Sequence, residues 1–187
     1  MKALPVDQLR RRGLLAGLAA TLCLTGGTAW ANTPAPPLPG ARLAGQGLLR
    51  VWGFEVYRAR LWVGPGFDPN DHAAAPLALE LEYLRDFEGS AIARRSIQEM
   101  RRQQPLTEDQ ARRWQRALEE VLPNVKAGDA LTGLYRPGAG AVFMQGQRVL
   151  GEVADPLFAR LFFGIWLSPA TSEPALREAL LAGAGRS

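Results

Sequence analysis

Apolar and polar positions alternate along several stretches of this chain, and along others they recur every three to four residues. Residues 43–51 and 54–63 read as two strands joined tightly around Trp52-Gly53. In the second, Val56, Arg58, Arg60 and Trp62 share one face, and Tyr57, Ala59, Leu61 and Val63 share the other. The assignment follows from the period of two along a strand. The Tyr57 face is the more apolar and is predicted to face the interior. Residues 77–84 repeat the pattern. Leu77, Leu79, Leu81 and Tyr83 point one way, and Ala78, Glu80, Glu82 and Leu84 the other, giving one buried and one mostly wet face.

The period then changes. Over residues 89–103, Ile92, Ala93, Ile97 and Met100 form one side of a helix, with Arg94, Arg95, Arg101 and Arg102 around it. Gln104-Pro105 ends it. Thr107 and Gln110 make a capping box for a second helix, whose stripe is Ala111, Trp114, Leu118 and Leu122. Pro123-Asn124 closes it. Strands follow at 130–136, 141–145 and 148–153, separated by glycine-containing turns. Asp155-Pro156 opens a helix from 157 to about 166, and a last helix runs from Thr171 or Ser172 to Leu181. Strands, helices, strands, helices is not the alternation of a parallel sheet. It predicts an α+β fold, an antiparallel sheet with a layer of helices on one face.

The 187 residues allow one domain. A net charge of +4 and a pI near 9.8 would point to nucleic acid or an acidic membrane. The position of the charges reverses that reading. Lys2, Arg10, Arg11 and Arg12 precede an uncharged stretch from 13 to 31 that ends in the small-x-small site Ala29-Trp30-Ala31. This is the form of an export signal. Its apolar centre, 14–24, is too short for a comfortable membrane span of about 20 residues. Without residues 1–31 the chain keeps 18 basic and 17 acidic residues, so no nucleic-acid partner is expected. The expected organisation is a signal at 1–31, a Pro-rich spacer at 32–40 and one domain at 41–187. An uncleaved anchor is the alternative. Arg11-Arg12-Gly13-Leu14-Leu15 also fits the twin-arginine pattern, with general secretion as the other route. Either route predicts a periplasmic or secreted protein with no stable membrane span after cleavage.

The single cysteine, Cys23, lies in the signal, so the domain has no disulfide and no thiol chemistry. The single histidine, His72, sits in a Pro/Asp/Asn loop and reads as a solvated loop residue. Asp68, Asn70 and Asp71 read as a solvated turn rather than a calcium loop. There is no catalytic triad and no phosphate-binding glycine loop. No cofactor and no metal site are expected.

Residues 155–169, beginning Asp155-Pro156-Leu157-Phe158-Ala159 and continuing through Phe162-Phe163-Gly164-Ile165-Trp166-Leu167, resemble the bacterial chalcone isomerase-like proteins. So do the strand 56–63 and the strand-to-helix segment from Leu79 through Glu88-Gly89 to Met100. The resemblance implies a curved antiparallel sheet, helices on one face and a ligand cleft between the layers. In the plant enzyme, which closes a chalcone to a flavanone, an arginine and a threonine stand on the early strands. A tyrosine, a lysine and an asparagine stand on the helix after the glycine. Here the corresponding places fall near Gln46 and at Tyr57, and at Ile92, Arg95 and Glu99. Only Arg95 keeps the charge type. The fatty-acid-binding branch of the family relies on the early-strand arginine, which Gln46 does not replace.

Three readings follow. The first is a non-catalytic domain that holds an apolar or amphipathic small molecule, such as a fatty-acid-like carboxylate, with Tyr57, Arg95 and Glu99 as its ligand-binding residues. The second is an isomerase or intramolecular lyase with altered catalytic residues, in which Tyr57 polarises a carbonyl and Arg95 stabilises an oxyanion. The third is a cell-envelope structural or assembly protein whose cleft is filled.

Overall fold

The computed structural model describes residues 37–185. The expected export signal and the first part of the spacer lie outside the described residues. Six strands follow one another in a single antiparallel sheet: β1 (Arg42–Val51), β2 (Phe54–Val63), β3 (Leu77–Tyr83), β4 (Ala130–Arg136), β5 (Gly140–Gln145) and β6 (Arg148–Val153). Helices α1 (Gly89–Gln103) and α2 (Glu108–Val121) are inserted between β3 and β4, which nevertheless pair. Helices α3 (Pro156–Leu167) and α4 (Pro174–Leu181) follow β6. The α+β architecture read from the sequence is the one observed.

The period-two pattern sets the inner face. Ala59, Leu61 and Val63 of β2 stand in register with Leu81, Leu79 and Leu77 of β3. All six are buried, as are Leu131, Tyr135 and Phe143 on the next two strands. Helix α3 crosses this face so closely that a Cβ on Gly133 would stand 3.1 Å from the Phe163 ring. Helix α4 lies against β1, where a Cβ on Gly45 would stand 2.2 Å from the Ala179 carbonyl oxygen. The missing side chains of two glycines therefore set the spacing between the layers.

Local signals fix the helix ends. Thr107 and Gln110 form the capping box. Asp155 caps α3, its Oδ1 accepting from the backbone N–H groups of Leu157 and Phe158. Its Oδ2 accepts from the Trp114 indole at 2.9 Å, which ties α2 to the start of α3.

Three expectations need correction. The outer face of the sheet is not simply wet. Arg58 and Arg60 pair there with Glu82, and Arg60 also pairs with Glu80. Yet Trp62, Ala78 and Val142 on the same face are buried. Alternation assigns a side chain to a face and says nothing of what lies over it. Helix α4 starts at Pro174, not at Thr171 or Ser172. The Thr171 hydroxyl is engaged instead in the preceding turn, donating to the Ile165 carbonyl and accepting from the Glu173 N–H. His72 is half-buried, with Nε2 3.1 Å from the Arg160 carbonyl oxygen of α3. Burial is the main cause of its lowered pKa. No helix among the described residues is long and apolar enough to cross a membrane.

Candidate ligand-binding site

Between the inner sheet face and the helices lies a cavity of about 550 Å³. That is within the ~300–1,000 Å³ of small-molecule sites. Leu79, Leu81, Leu131, Phe143 and Phe162 give it an apolar body. Its charged and polar lining includes Tyr57, Arg95, Glu99 and Glu173. The three residues singled out from the sequence thus line one cavity.

Tyr57 comes from the inner face of β2, opposite Tyr83 of β3, and the two rings meet edge to face at 6.0 Å. Its hydroxyl oxygen accepts the Trp166 indole N–H at 2.9 Å. Burial raises the Tyr57 pKa well above the ordinary phenol value. The Trp166 hydrogen bond opposes this, the Glu173 and Glu99 charges reinforce it, and Arg95 opposes it. The phenol is therefore neutral at physiological pH. It can donate a hydrogen bond into the cavity but is no source of a phenolate base.

Glu99 lies on α1 with only 7% of its surface exposed. Arg95, one turn earlier, holds Oε1 at 2.6 Å, an i,i+4 pair. Arg102 approaches Oε2 only to 3.6 Å, too far for a hydrogen bond, and this buried oxygen has no hydrogen-bond partner among the described residues. The Arg95 side chain is 66% exposed. It also belongs to the cavity lining, which places it at the rim.

The other places compared above separate cleanly. Ile92 lines the cavity and contributes no hydroxyl. Gln46 is exposed and pairs in register with Arg60, on the outer face, so it does not line the cavity. Two participants escaped the sequence reading. Trp166 is 109 positions from Tyr57, and no local spacing links them. Glu173, the residue before α4, lines the cavity as well. No group of three or more His, Cys, Asp or Glu residues able to hold a metal occurs among the described residues.

The profile of a family described as chalcone isomerase-like matches residues 40–182. An uncharacterized protein of Haemophilus influenzae is 29% identical over 133 residues, 70% of this chain. The match covers 63% of that relative, so the chain spans less than two thirds of its length. Among solved structures, an Arabidopsis thaliana fatty-acid binding protein superposes with a TM-score of 0.60 at 12% identity, covering 79% of this chain and 90% of that one. That likeness shows a shared fold. With the profile spanning nearly all of the described residues, the chain belongs to the chalcone isomerase-like family.

Proposed function

We propose that this is an exported, non-catalytic domain that holds an apolar or amphipathic small molecule between its sheet and its helices. The apolar cavity, open at a rim that carries Arg95, is the observation that carries the reading. An acyl or similarly apolar body fills the cavity, and a carboxylate end is held at the rim. Arg95 has five N–H donors and Glu99 occupies only part of them. The Tyr57 hydroxyl supplies a neutral donor nearby. The fatty-acid binding protein of the same fold supports the reading.

Catalysis is not part of the proposal, because Ile92, with no hydroxyl, stands where the resemblance places the plant enzyme's tyrosine, and Gln46, where it places the arginine, does not line the cavity. The purified protein is expected to leave chalcone ring closure at its spontaneous rate. Robust turnover abolished by Tyr57→Phe would replace this reading with the isomerase one. Binding itself is tested by titrating saturated fatty acids of increasing length against tryptophan fluorescence, since Trp166 lines the cavity. Saturable binding that strengthens with chain length supports the proposal. No response to any acid, alcohol or amide of comparable length would remove it.

The export half of the proposal rests on residues 1–31. N-terminal sequencing of the protein from the cell envelope is expected to begin at Asn32. Replacing Arg11 and Arg12 with lysine blocks export only if the twin-arginine route is used. A full-length chain fixed in the inner membrane would contradict cleavage.

A further inference from the structure

The hairpin joining β1 to β2 carries an unusual set of side chains. Trp52 is 95% exposed, Phe54 60% and Val51 38%. Val51 and Phe54 face each other in register, so the three form one apolar tip. Trp52 also adopts φ 49°, alone among the described non-glycine residues in having positive φ, and Gly53 follows at 82°. Tight hairpins with this backbone favour Asn or Gly, and a bulky side chain there is strained. The fold gains nothing from an indole that is both strained and fully wet. Strain of this kind at an exposed site points outward, to something the site meets.

Two neighbours indicate what that is. Val51 and Trp52 line the cavity described above, so the tip stands at its mouth. Arg85 lies over the Phe54 ring at 4.9 Å, with no carboxylate within 4 Å among the described residues. An indole, a phenyl ring and an adjacent arginine form a combination suited to the boundary between headgroups and acyl chains. There an amphipathic indole sits at headgroup level, a phenyl ring meets the acyl chains and the cation meets phosphate.

We propose that the Val51–Trp52–Phe54 tip is a membrane-contact site that dips into an anionic lipid surface, with Arg85 on the phosphates and the cavity mouth against the bilayer. The contact is peripheral. It does not depend on what the cavity holds, and it stands or falls separately from the ligand reading.

The test uses the full chain with vesicles of phosphatidylglycerol and phosphatidylcholine, and with vesicles of phosphatidylcholine alone. Residues 14–24 are themselves apolar, so binding is read as the difference between variants that leave them intact. Lipids brominated in the acyl chains quench nearby indoles. With five tryptophans in the chain, the difference between wild type and Trp52→Phe isolates one of them. Quenching that disappears in Trp52→Phe is expected. Trp52→Gly suits the positive φ and is expected to leave folding intact, and with Phe54→Ser it is expected to weaken binding to the anionic vesicles on the order of ten-fold. Arg85→Ala is expected to remove most of the preference for anionic vesicles. Equal binding by wild type and Trp52→Gly/Phe54→Ser, or no quenching assigned to Trp52, overturns the proposal. So does lipid-independent self-association lost in Trp52→Gly, which would make the tip an interface between copies.

Discussion

The Trp166 indole N–H donates to the Tyr57 hydroxyl at 2.9 Å, joining helix α3 to strand β2 at the edge of the cavity. It is a bond between the two layers as well as a feature of the site. The indole N–H has one acceptor there, and the phenol keeps its own proton for another partner. Tyr57→Phe leaves the indole donor without that acceptor. The expected cost is about 1–3 kcal/mol of stability, the range for an orphaned buried donor. Denaturant unfolding of the two proteins measures it. A cost indistinguishable from zero would mean that solvent already satisfies the indole.

Asp155 does two jobs, and the two can be separated. Asp155→Ala removes the cap of α3 together with the acceptor for Trp114. The expected loss is about 2–4 kcal/mol, combining a cap with a hydrogen bond to a charged group. Asp155→Asn keeps a side-chain oxygen for the cap but turns its amide N–H groups toward the Trp114 indole, so it is expected to be spared only the cap's share of the loss, about 0.5–2 kcal/mol. Equal losses for both variants would show that the bond to Trp114, not the cap, fixes this corner.

Arg95 and Glu99 are coupled across very different exposures, 66% and 9% for their side chains. Removing an exposed arginine alone ordinarily changes little. Here it leaves a buried carboxylate with Arg102 at 3.6 Å as its remaining cation. Arg95→Ala is therefore expected to cost about 1–2 kcal/mol of stability. In a Glu99→Gln background the same change is expected to cost much less, a coupling on the order of 1 kcal/mol. Additive effects would contradict the pairing. If the ligand is a carboxylate, Arg95→Ala also weakens its binding by about 1.5–3 kcal/mol.

Much of this arrangement is legible in the sequence. The alternation in β2 and β3 places Tyr57 on the inner face, and the capping residues mark where α2 and α3 begin. The i,i+4 spacing of Arg95 and Glu99 puts them on one side of α1. What escapes is whatever depends on distant packing. The burial of Trp62 on the outward face, the engagement of Thr171 that delays α4, and the meeting of Trp166 with Tyr57 have no local periodicity to announce them. The tight turn at Trp52-Gly53 is readable from the glycine, but the exposure of the indole is not. Tryptophan is highly buried on average, so full exposure is not what its type predicts.

His72 gives the domain a pH dependence with a definite sign. Burial holds its folded pKa below the ordinary 6.5, so the unfolded chain takes up the proton first. The contribution to stability is fully present above pH 6.5 and declines as the pH falls below it, until the folded imidazole is protonated as well. His72→Gln is expected to flatten that part of the stability profile while leaving the neutral-pH stability nearly unchanged. An unchanged profile would place the origin of acid sensitivity elsewhere. Thermal unfolding across this pH interval reads the difference directly.

The central claim is that the cavity holds a small molecule, and native mass spectrometry of the protein purified from the cells that make it tests this most directly. The account predicts a mass excess, the size of an amphipathic small molecule, that disappears on denaturation. It also predicts that Ile92→Trp, which fills the cavity from α1, folds normally but carries no such excess and takes up no added fatty acid. A bare polypeptide mass in wild type, with no uptake of any added amphiphile, would contradict the account and leave a filled structural core in its place.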